Sequence, residues 1–432
     1  MSKIEKSYDV LIVGTGVAGL CCALNLPRET RILMLTKAAV DESDSFLAQG
    51  GICMLRGTED FEGYFEDTLR AGHYENDETA VRQMILSSPE MIADLVGYGV
   101  DFAKDEKGEF RFTREGGHSR PRILFHDDVT GKEITSKLLV KARACKNIVI
   151  REYTELIDLI CEGNECFGGV VRDCNSGALQ AVYAKFTLLA TGGVGGLYEH
   201  STNFRHLTGD ALAIALLHGI EVEHLNYVQI HPTTFYSEKH GRRFLISESV
   251  RGEGAILLDK EGKRFCNELL PRDVVTAEIR AQMKKDGTEF VWLDMRPVGE
   301  ATIAEHFPTI RRRCLQEGYD VCRQPIPVVP AQHYFMGGIR VDLNAKTSMK
   351  RLFAAGETAC NGVHGKNRLA SNSLLESLIW AKRAAMLMAQ KLPDVSIEMP
   401  PAALDGYGED AARREKYAKM IREEAEREEC CD

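Results

Sequence analysis

The sequence predicts an α/β protein that begins with a Rossmann-like dinucleotide-binding unit, and three observations predict it. A β-branched run at residues 8–13 leads into Gly14-x-Gly16-x-x-Gly19, and a helical stretch follows the glycines. A second apolar run at residues 31–36 completes the order strand, glycine turn, helix, strand that dinucleotide-binding folds use. The composition agrees, since 432 residues with 44% hydrophobic and 27% charged side chains suffice for two or three globular domains.

Composition and charge exclude several classes of function. Lys and Arg number 54 against 64 Asp and Glu, so the net charge of −10 argues against a nucleic-acid-binding surface. No apolar run approaches the roughly 20 residues that a membrane span requires. The 13 cysteines are odd in number and scattered, and no Cys or His spacing fits a metal site. We therefore expect reduced thiols, a cytoplasmic location, no metal ion, and neither nucleic acid nor membrane as a partner.

Each glycine of the first turn has its own predicted task. Gly14 permits the tight turn, Gly16 lets the backbone approach a pyrophosphate, and Gly19 lets the helix pack closely on the strand. The pyrophosphate would lie at the helix N-terminus, where free N–H groups favour negative charge. The second strand ends at Lys37 and not at the usual acidic residue, so the ribose contact must come from elsewhere. The alternative is a purely structural glycine turn.

The rest of the chain divides into three predicted parts. Strand and helix patterns continue to about residue 222 and return at about 339, whereas the segment between them is richer in His, Arg and Pro. This change predicts an inserted α+β capping domain. We expect the nucleotide-binding domain at 1–222 and 339–400, the capping domain at 223–338, and a charged helical tail at 401–432. Because the tail carries many i,i+4 acid-base pairs, we expect it to be a solvated helix.

Several local elements are also predicted. Residues 43–51 read as a loop with close backbone approach, residues 148–171 as a β-hairpin, and residues 186–191 as a strand before a second glycine cluster. Helical patterns occur at residues 79–97, 208–218 and 373–390, and a buried strand at 351–355.

Many ordered motifs identify the family that the chain resembles. Besides the first glycine turn, they include Ala48-Gln49-Gly50-Gly51, His231-Pro232-Thr233, Pro271-Arg272-Asp273, residues 333–338 (HYFMGG) and Asn367-Arg368-Leu369-Ala370-Ser371-Asn372-Ser373-Leu374. Over residues 7–390 the chain resembles flavoproteins of the succinate dehydrogenase/fumarate reductase family, and within it the branch that oxidises L-aspartate. Longer members continue into a C-terminal helical domain, which we expect to be largely absent here.

The resemblance implies FAD as the cofactor. Asp44 stands where membrane-bound members carry a histidine linked to the flavin, so we expect non-covalent FAD. Glu357 is a reasonable partner for the ribose. The implied contacts are Gly14, Thr15, Gly16, Val17, Ala18, Gly19, Lys37, Asp44, Ser45, Phe46, Leu47, Ala48, Gln49, Gly50, Gly51, Asp210, Glu357, Ser373 and Leu374.

The resemblance also implies that cationic residues come together to bind a dicarboxylate substrate. Arginine suits this task because its planar guanidinium group can donate two parallel hydrogen bonds to one carboxylate. It implies Arg272 as the catalytic residue, Glu248 and Arg251 as a proton relay for it, and substrate contacts from Glu115, Gln229, His231, Ser247, His333 and Arg368. An arginine normally stays protonated, so Arg272 needs such a relay to act as acid or base. Two alternatives stay open: Arg272 as an electrostatic clamp only, and the histidines as ordinary core residues.

Glu115 is the residue that informs on the choice of substrate. Succinate-oxidising relatives tend to have a neutral amide at this place. A carboxylate would repel dianionic succinate, but it would form a charge-assisted hydrogen bond with the ammonium group of aspartate. The alternative is a solvated loop glutamate.

The expected reaction is FAD-dependent oxidation of L-aspartate to iminoaspartate, with electrons passed to O2 or fumarate. By resemblance this is the first step of de novo NAD synthesis, and the product would pass to quinolinate synthase. The main alternative is a soluble fumarate reductase or succinate dehydrogenase flavoprotein subunit. A flavin-containing binding protein without turnover is a third hypothesis, against which Arg272, His231, His333 and Arg368 count.

Overall fold

The computed structural model describes residues 7–239, 241–404, 406–407 and 410–429, so the predicted tail at 401–432 is described only in part. The described residues form seventeen strands: β1 (Ser7–Val13), β2 (Ile32–Leu35), β3 (Ile52–Cys53), β4 (Ile123–Leu124), β5 (Ile148–Arg151), β6 (Thr154–Glu162), β7 (Glu165–Asp173), β8 (Leu179–Leu189), β9 (Val222–Glu223), β10 (Val228–Phe235), β11 (Phe244–Leu245), β12 (Ile256–Leu258), β13 (Val291–Asp294), β14 (Ile326–Phe335), β15 (Gly338–Arg340), β16 (Leu352–Ala354) and β17 (Ala359–Cys360).

Twelve α-helices connect these strands within the described ranges. They are α1 (Val17–Asn25), α2 (Asp44–Leu47), α3 (Phe61–Ala71), α4 (Glu78–Gly97), α5 (Thr130–Ala144), α6 (Asp210–Leu217), α7 (Glu248–Gly252), α8 (Arg272–Asp286), α9 (Glu300–His306), α10 (Pro308–Gln316), α11 (Ser373–Lys391) and α12 (Asp410–Glu429). The chain is therefore α/β, as the sequence predicts.

A seven-stranded sheet carries the predicted dinucleotide-binding unit. Its strand order is β5-β2-β1-β8-β7-β6, and β16 also pairs with β8. Strands β5, β2, β1, β8 and β16 run parallel, so their carboxyl ends meet at one edge, where Val13 pairs with both Leu35 and Leu189. In open parallel sheets, ligands bind at this edge.

Helices cover both faces of this sheet, which explains why its parallel strands are almost wholly apolar. Helices α1, α4, α5 and α11 contribute to a core on one face, in which Trp380 is fully buried. Helices α6 and α12 contribute to a second core on the other face.

An antiparallel five-stranded sheet, in the order β11-β10-β14-β13-β12, forms a separate layer. Helices α7, α8, α9 and α10 bury apolar residues against it in a third core, which includes Val275, Ile279 and Ile310. The strands of this sheet lie within residues 228–335, the segment in which the sequence loses its regular alternation.

Several local predictions need correction. The segment 148–171 is not one hairpin, because β5 pairs in parallel with β2 and the hairpin is β6–β7. The loop at 43–51 contains a short helix, and the strand at 186–191 begins earlier, at Leu179. The tail helix is not simply solvated: Tyr417 and Ile421 are buried against α6, and the Tyr417 hydroxyl donates to Ile157 O at 3.0 Å.

In the part of the chain that the structure describes, no helix is long and apolar enough to cross a membrane. Those same residues contain no group of three His, Cys, Asp or Glu side chains arranged to hold a metal ion.

Candidate active site

One large cavity lies at the carboxyl ends of β1, β2 and β8, and it encloses roughly 1700 Å³ of empty space, part of it open to solvent. Residues of the glycine turn, α2 and α6 line one part of it. Residues of α7, α8 and β14 line another part.

The first glycine turn has the geometry that close backbone packing requires. Gly14 has a positive φ of 119°, and a Cβ there would lie 1.9 Å from the carbonyl oxygen of Ala190, the residue directly after β8. A Cβ on Gly19 would lie 2.1 Å from Gly14 O. Gly16 is the N-cap of α1, so this turn directs free backbone N–H groups towards the cavity, as a pyrophosphate site requires.

Most of the predicted cofactor contacts line this cavity. Gly19 and Phe46 are the exceptions: Gly19 packs α1 on β1, and Phe46 lies against Lys132. The predicted residues that do line the cavity are Gly14, Thr15, Gly16, Val17, Ala18, Lys37, Asp44, Ser45, Leu47, Ala48, Gln49, Gly50, Gly51, Asp210, Glu357, Ser373 and Leu374.

Lys37 and Asp210 form an ion pair in the wall of the cavity. Lys37 also donates to the Thr208 hydroxyl at 3.3 Å, and that hydroxyl donates to Asp210 at 2.8 Å. Although burial raises the pKa of Asp210, the Lys37 ammonium holds it below its usual range. The first residue of α6 thus places an acidic side chain beside Lys37, at the end of the second strand.

Two carboxyl groups in the cavity have raised pKa values, which favour their neutral forms. Burial, and the proximity of Asp44, raise the pKa of Glu357 to about 8, and burial raises the pKa of Asp44 to about 7. Glu357 accepts a hydrogen bond from Phe335 N at 3.0 Å, and Asp44 accepts one from Phe204 N at 3.0 Å.

The cavity also contains buried polar atoms that have no hydrogen-bond partner among the described residues. Those near the glycine turn and α2 are Ser43 Oγ, Asp44 Oδ2 and Gln49 Oε1. Buried polar atoms are normally paired, so their position fits a bound molecule rich in hydroxyl and N–H groups. FAD has both, and the N-terminus of α1 has the free N–H groups that its pyrophosphate would need.

At the other part of the cavity, two arginines share one acceptor. Arg272 Nη1 donates to Gln229 Oε1 at 2.7 Å, and Arg368 Nη2 donates to the same oxygen at 3.1 Å. The Gln229 amide nitrogen is fixed in turn, because it donates to Asn367 Oδ1 at 2.7 Å and to Arg368 O at 2.8 Å. Gln229 thus orients both guanidinium groups from beside the cavity that they line.

Glu248 lies between Arg272 and Arg251. Arg272 Nε donates to Glu248 Oε2, and Arg251 Nη2 is 3.6 Å from the same oxygen. Burial raises the pKa of Glu248, but the two guanidinium groups outweigh burial and hold it below its usual range. Arg251 is fully buried and donates to Glu268 O at 2.6 Å, so it lies behind Glu248, away from the cavity.

His231 and His333 face each other with ring centroids 5.2 Å apart. Burial and the nearby charge of Arg272 lower the pKa of both rings well below the usual range, so both are neutral. Thr202 Oγ1 lies 2.8 Å from His333 Nδ1, which leaves the other ring nitrogen for a ligand. His231 Nε2 and Arg368 Nε have no partner in the described part of the chain, as expected for groups that bind an anion.

Glu115 is buried, and its carboxylate lies in the same cavity as Arg272 and Arg368. Burial raises its pKa, as does the charge of Glu248. Hydrogen bonds from Ser371 and Ser249 oppose this shift. Glu115 is therefore not a solvated loop residue.

The remaining predicted residue, Ser247, is the N-cap of α7 and lines the cavity; its hydroxyl accepts from Ser249 N at 3.3 Å. Sequence reasoning missed Arg242, Tyr334 and Ser371, which also line it. Tyr334 and Ser371 lie inside motifs that could have signalled them. No motif includes Arg242.

A dinucleotide cradle opens onto a pocket that contains arginines, two neutral histidines and the carboxylates of Glu115 and Glu248. This combination defines the class of this protein: a FAD-dependent oxidoreductase. Residues 9–374 match the model of the FAD binding domain family. Among curated proteins, the chain is 50% identical to L-aspartate oxidase of Clostridium perfringens, over 89% of this chain and 87% of that protein. It is 48% identical to L-aspartate oxidase of Clostridium acetobutylicum, over 87% of each.

Solved structures agree on the wider family. A mutant form of the FrdA subunit of E. coli quinol fumarate reductase matches with a TM-score of 0.84 and 29% identity, over 97% of this chain and 74% of that one. Sdh1 of Mycobacterium smegmatis matches with a TM-score of 0.78 and 29% identity, over 96% and 72%. The chain belongs to the L-aspartate oxidase family, within the succinate dehydrogenase/fumarate reductase flavoproteins.

Proposed function

We propose that this protein oxidises L-aspartate to iminoaspartate with FAD, and that the residues around its cavity have the roles described below. The observation that carries the proposal is the buried Glu115 carboxylate, which lines the same cavity as Arg272 and Arg368. Two serine hydroxyls donate to it, whereas the neighbouring Glu248 is paired with Arg272. L-Aspartate has two carboxylates and one ammonium group. Arg272 and Arg368 match the carboxylates, and Glu115 matches the ammonium.

The cofactor would lie between the first glycine turn and α2. The N-terminus of α1 would hold the pyrophosphate, and Glu357 with the Lys37–Asp210 pair would contact the nucleoside. When bound, FAD accepts the two electrons that leave the substrate. Because Asp44 and not histidine stands at the linkage position, we propose that FAD is bound non-covalently.

Arg368, Arg272 and the two histidines would hold the substrate carboxylates. Both arginines are buried and pre-oriented by Gln229, so little conformational entropy is lost when the substrate binds. The neutral histidines supply hydrogen bonds without adding charge, which leaves the two guanidinium groups as the main counter-charges.

Arg272 is the proposed catalytic residue, and Glu248 connects it to Arg251. Formation of the C=N bond removes two electrons and two protons from the substrate overall, so a proton acceptor is needed. The ionised Glu248 contacts Arg272 directly and can take a proton that passes through the guanidinium group. Arg251 stabilises that carboxylate from behind.

Succinate oxidation is the second candidate function, because the solved structures that match include a fumarate reductase subunit. Succinate offers the same two carboxylates but no partner for Glu115. A carboxylate buried beside a dianion is repelled, so Glu115 disfavours succinate as the substrate to be oxidised. Fumarate or O2 remains the proposed acceptor of electrons from the reduced enzyme.

The metabolic pathway, the cellular location and the domain boundaries are also proposals. Iminoaspartate is unstable, which favours its transfer to quinolinate synthase in the first step of de novo NAD synthesis. The cysteines that the structure describes are free thiols, which supports a cytoplasmic location. The third core supports residues 223–338 as a capping domain on a nucleotide-binding domain of residues 1–222 and 339–400, followed by a tail at 401–432.

The test is a product assay on the purified, FAD-loaded protein. L-Aspartate should give iminoaspartate, measured as oxaloacetate and ammonia after hydrolysis, with consumption of oxygen or fumarate. Turnover of succinate in place of L-aspartate would contradict the proposal.

A further inference from the structure

Two hydroxyl groups hold the Glu115 carboxylate, one on each oxygen. Ser249 Oγ, on helix α7, donates to Glu115 Oε1 at 3.1 Å. Ser371 Oγ, just before α11, donates to Glu115 Oε2 at 2.6 Å. Neither serine is among the residues that the family motifs implied for the substrate, and α7 and α11 belong to different cores.

Ser371 is fixed by its surroundings and by an unusual backbone conformation. Its φ is +62°, in the left-handed region that non-glycine residues seldom adopt. Its carbonyl accepts from Cys53 N at 3.1 Å, and its hydroxyl accepts from Gly51 N at 3.2 Å. A strained residue that its surroundings hold in place commonly marks a functional site. Because the hydroxyl has a single proton, that proton is directed at Glu115.

Ser249 is oriented by a short chain of hydroxyl groups. Ser247 Oγ accepts from Ser249 N at 3.3 Å and donates to Ser249 Oγ at 3.3 Å. The Ser249 hydroxyl, which already accepts this bond, donates its own proton to Glu115. Hydrogen bonds in such chains polarise and strengthen one another.

The charges around Glu115 explain why this support matters. Glu248 is its acidic neighbour, and Arg272 and Arg368 are its cationic neighbours. The nearby Cys53 thiol stays neutral because burial raises its pKa. Burial and Glu248 both favour the protonated carboxyl group. A protonated Glu115 would lose its attraction for an ammonium group, so donors to both oxygens favour the form that binds it.

We propose that Ser249 and Ser371 are specificity-determining positioning residues, which keep Glu115 ionised and aimed so that the enzyme selects a dicarboxylate with an α-ammonium group over one without it. This inference rests on the proposed role of Glu115 as the partner of the substrate ammonium. It assigns to these two hydroxyls a selection that they exert through Glu115.

The experiment compares Ser249→Ala and Ser371→Ala with the wild type in the FAD-loaded enzyme. It measures kcat/KM for L-aspartate, and Ki for succinate as an inhibitor that lacks the ammonium group. Losing a hydrogen bond to a charged group should lower kcat/KM for L-aspartate about tenfold or more in each variant. The Ki for succinate should stay within about twofold or fall, since a weaker Glu115 charge repels it less.

The dependence of kcat/KM on pH separates this role from a merely structural one, which would not shift the pH profile. Removing a donor to the carboxylate raises the pKa of Glu115, so the acid limb of kcat/KM for L-aspartate should move to higher pH in both variants. Ser249→Thr keeps a hydroxyl, so its acid limb should lie at the same pH as that of the wild type. Ser88→Ala is the matched control, because Ser88 is fully buried, accepts from Leu55 N at 2.9 Å and donates to Ile85 O at 2.7 Å away from the cavity.

The inference would be overturned if the serine variants weakened the binding of L-aspartate and of succinate equally. It would also be overturned if the acid limb of kcat/KM for L-aspartate did not move. Glu115→Gln separates this failure from that of the proposed function. If Glu115→Gln impairs L-aspartate selectively and the serine variants do not, only the inference on the serines is wrong. If Glu115→Gln leaves the preference for L-aspartate over succinate unchanged, the assigned role of Glu115 is wrong as well.

Discussion

Arg272 and Arg368 donate hydrogen bonds to one and the same oxygen, Gln229 Oε1, at 2.7 and 3.1 Å. Two buried guanidinium groups repel each other, and this shared acceptor holds them together at the cavity wall. The arrangement fixes two counter-charges for a dicarboxylate beside each other, so we expect Gln229 to contribute to binding from beside the cavity.

Gln229→Leu should therefore raise KM for L-aspartate more than it lowers kcat. The change removes the acceptor of two charge-assisted hydrogen bonds, so we expect kcat/KM to fall about ten- to hundredfold. Steady-state kinetics at saturating FAD measure this. Gln282→Leu is the control, because Gln282 is also buried but donates to Asp286 Oδ1 within α8, away from the cavity. Equal effects of the two changes would contradict the role of Gln229.

Arg272→Leu should abolish oxidation while FAD stays bound. The substitution removes both the counter-charge and the contact with Glu248, and we expect a loss of at least about a thousandfold in kcat/KM. Arg272→Lys keeps the charge but not the fork that reaches both Gln229 and Glu248, so it should recover only a small part. Arg280→Leu, at an exposed position of the same helix, should behave as wild type. Full activity of Arg272→Leu would refute the assignment.

Lys37→Met should weaken FAD binding, since it leaves Asp210 in the cavity wall without its counter-charge. Truncating one partner of such a pair commonly costs several kcal/mol, and we expect the FAD dissociation constant to rise at least about tenfold. Titration of the FAD-free protein, followed by flavin fluorescence, measures this. Lys185→Met breaks a comparable ion pair with Asp9 away from the cavity and serves as the control. An unchanged dissociation constant would contradict the predicted contact.

Glu357 predicts a dependence of the stability of the FAD-free protein on pH. Its pKa is about 8 when folded, above the ordinary value near 4.5, so the folded state binds a proton that the unfolded state lacks. Its contribution to stability is present below pH 4.5 and is lost as pH rises towards 8, with a slope of at most about 1.4 kcal/mol per pH unit. Chemical unfolding at pH 7 and 8 should show this decline, and Glu357→Gln should reduce it. Glu423→Gln, at an exposed position, should leave the decline unchanged. Equal slopes of stability against pH in the wild type, Glu357→Gln and Glu423→Gln would rule out the raised pKa of Glu357.

The fold could be predicted where local pattern and physics agree. The glycine turn at residues 14–19, the helix Glu78–Gly97 and the helix Ser373–Lys391 were foreseeable because strand, turn and helix signals fall in order. The tail helix was predicted, but its packing was not, because its charged composition hides Tyr417 and Ile421, which are buried against α6. Periodicity alone does not reveal which neighbour a short apolar stripe will meet.

The site could be predicted only through its motifs. Arg272, Arg368 and Glu115 lie far apart in the sequence, and only the fold brings them to one cavity. Ser249 carries no signal of its own, since serine near a helix N-terminus is usually a cap. Its role becomes evident only in the structure, where its hydroxyl donates a hydrogen bond to the Glu115 carboxylate.

The most direct test of the central claim is anaerobic mixing of the FAD-loaded protein with L-aspartate, and separately with succinate, while the absorption of oxidised flavin is followed. With Glu115 as the partner of the ammonium, L-aspartate should bleach the flavin and succinate should not. Bleaching by succinate alone would contradict the account and move the protein to the dehydrogenase branch of its family.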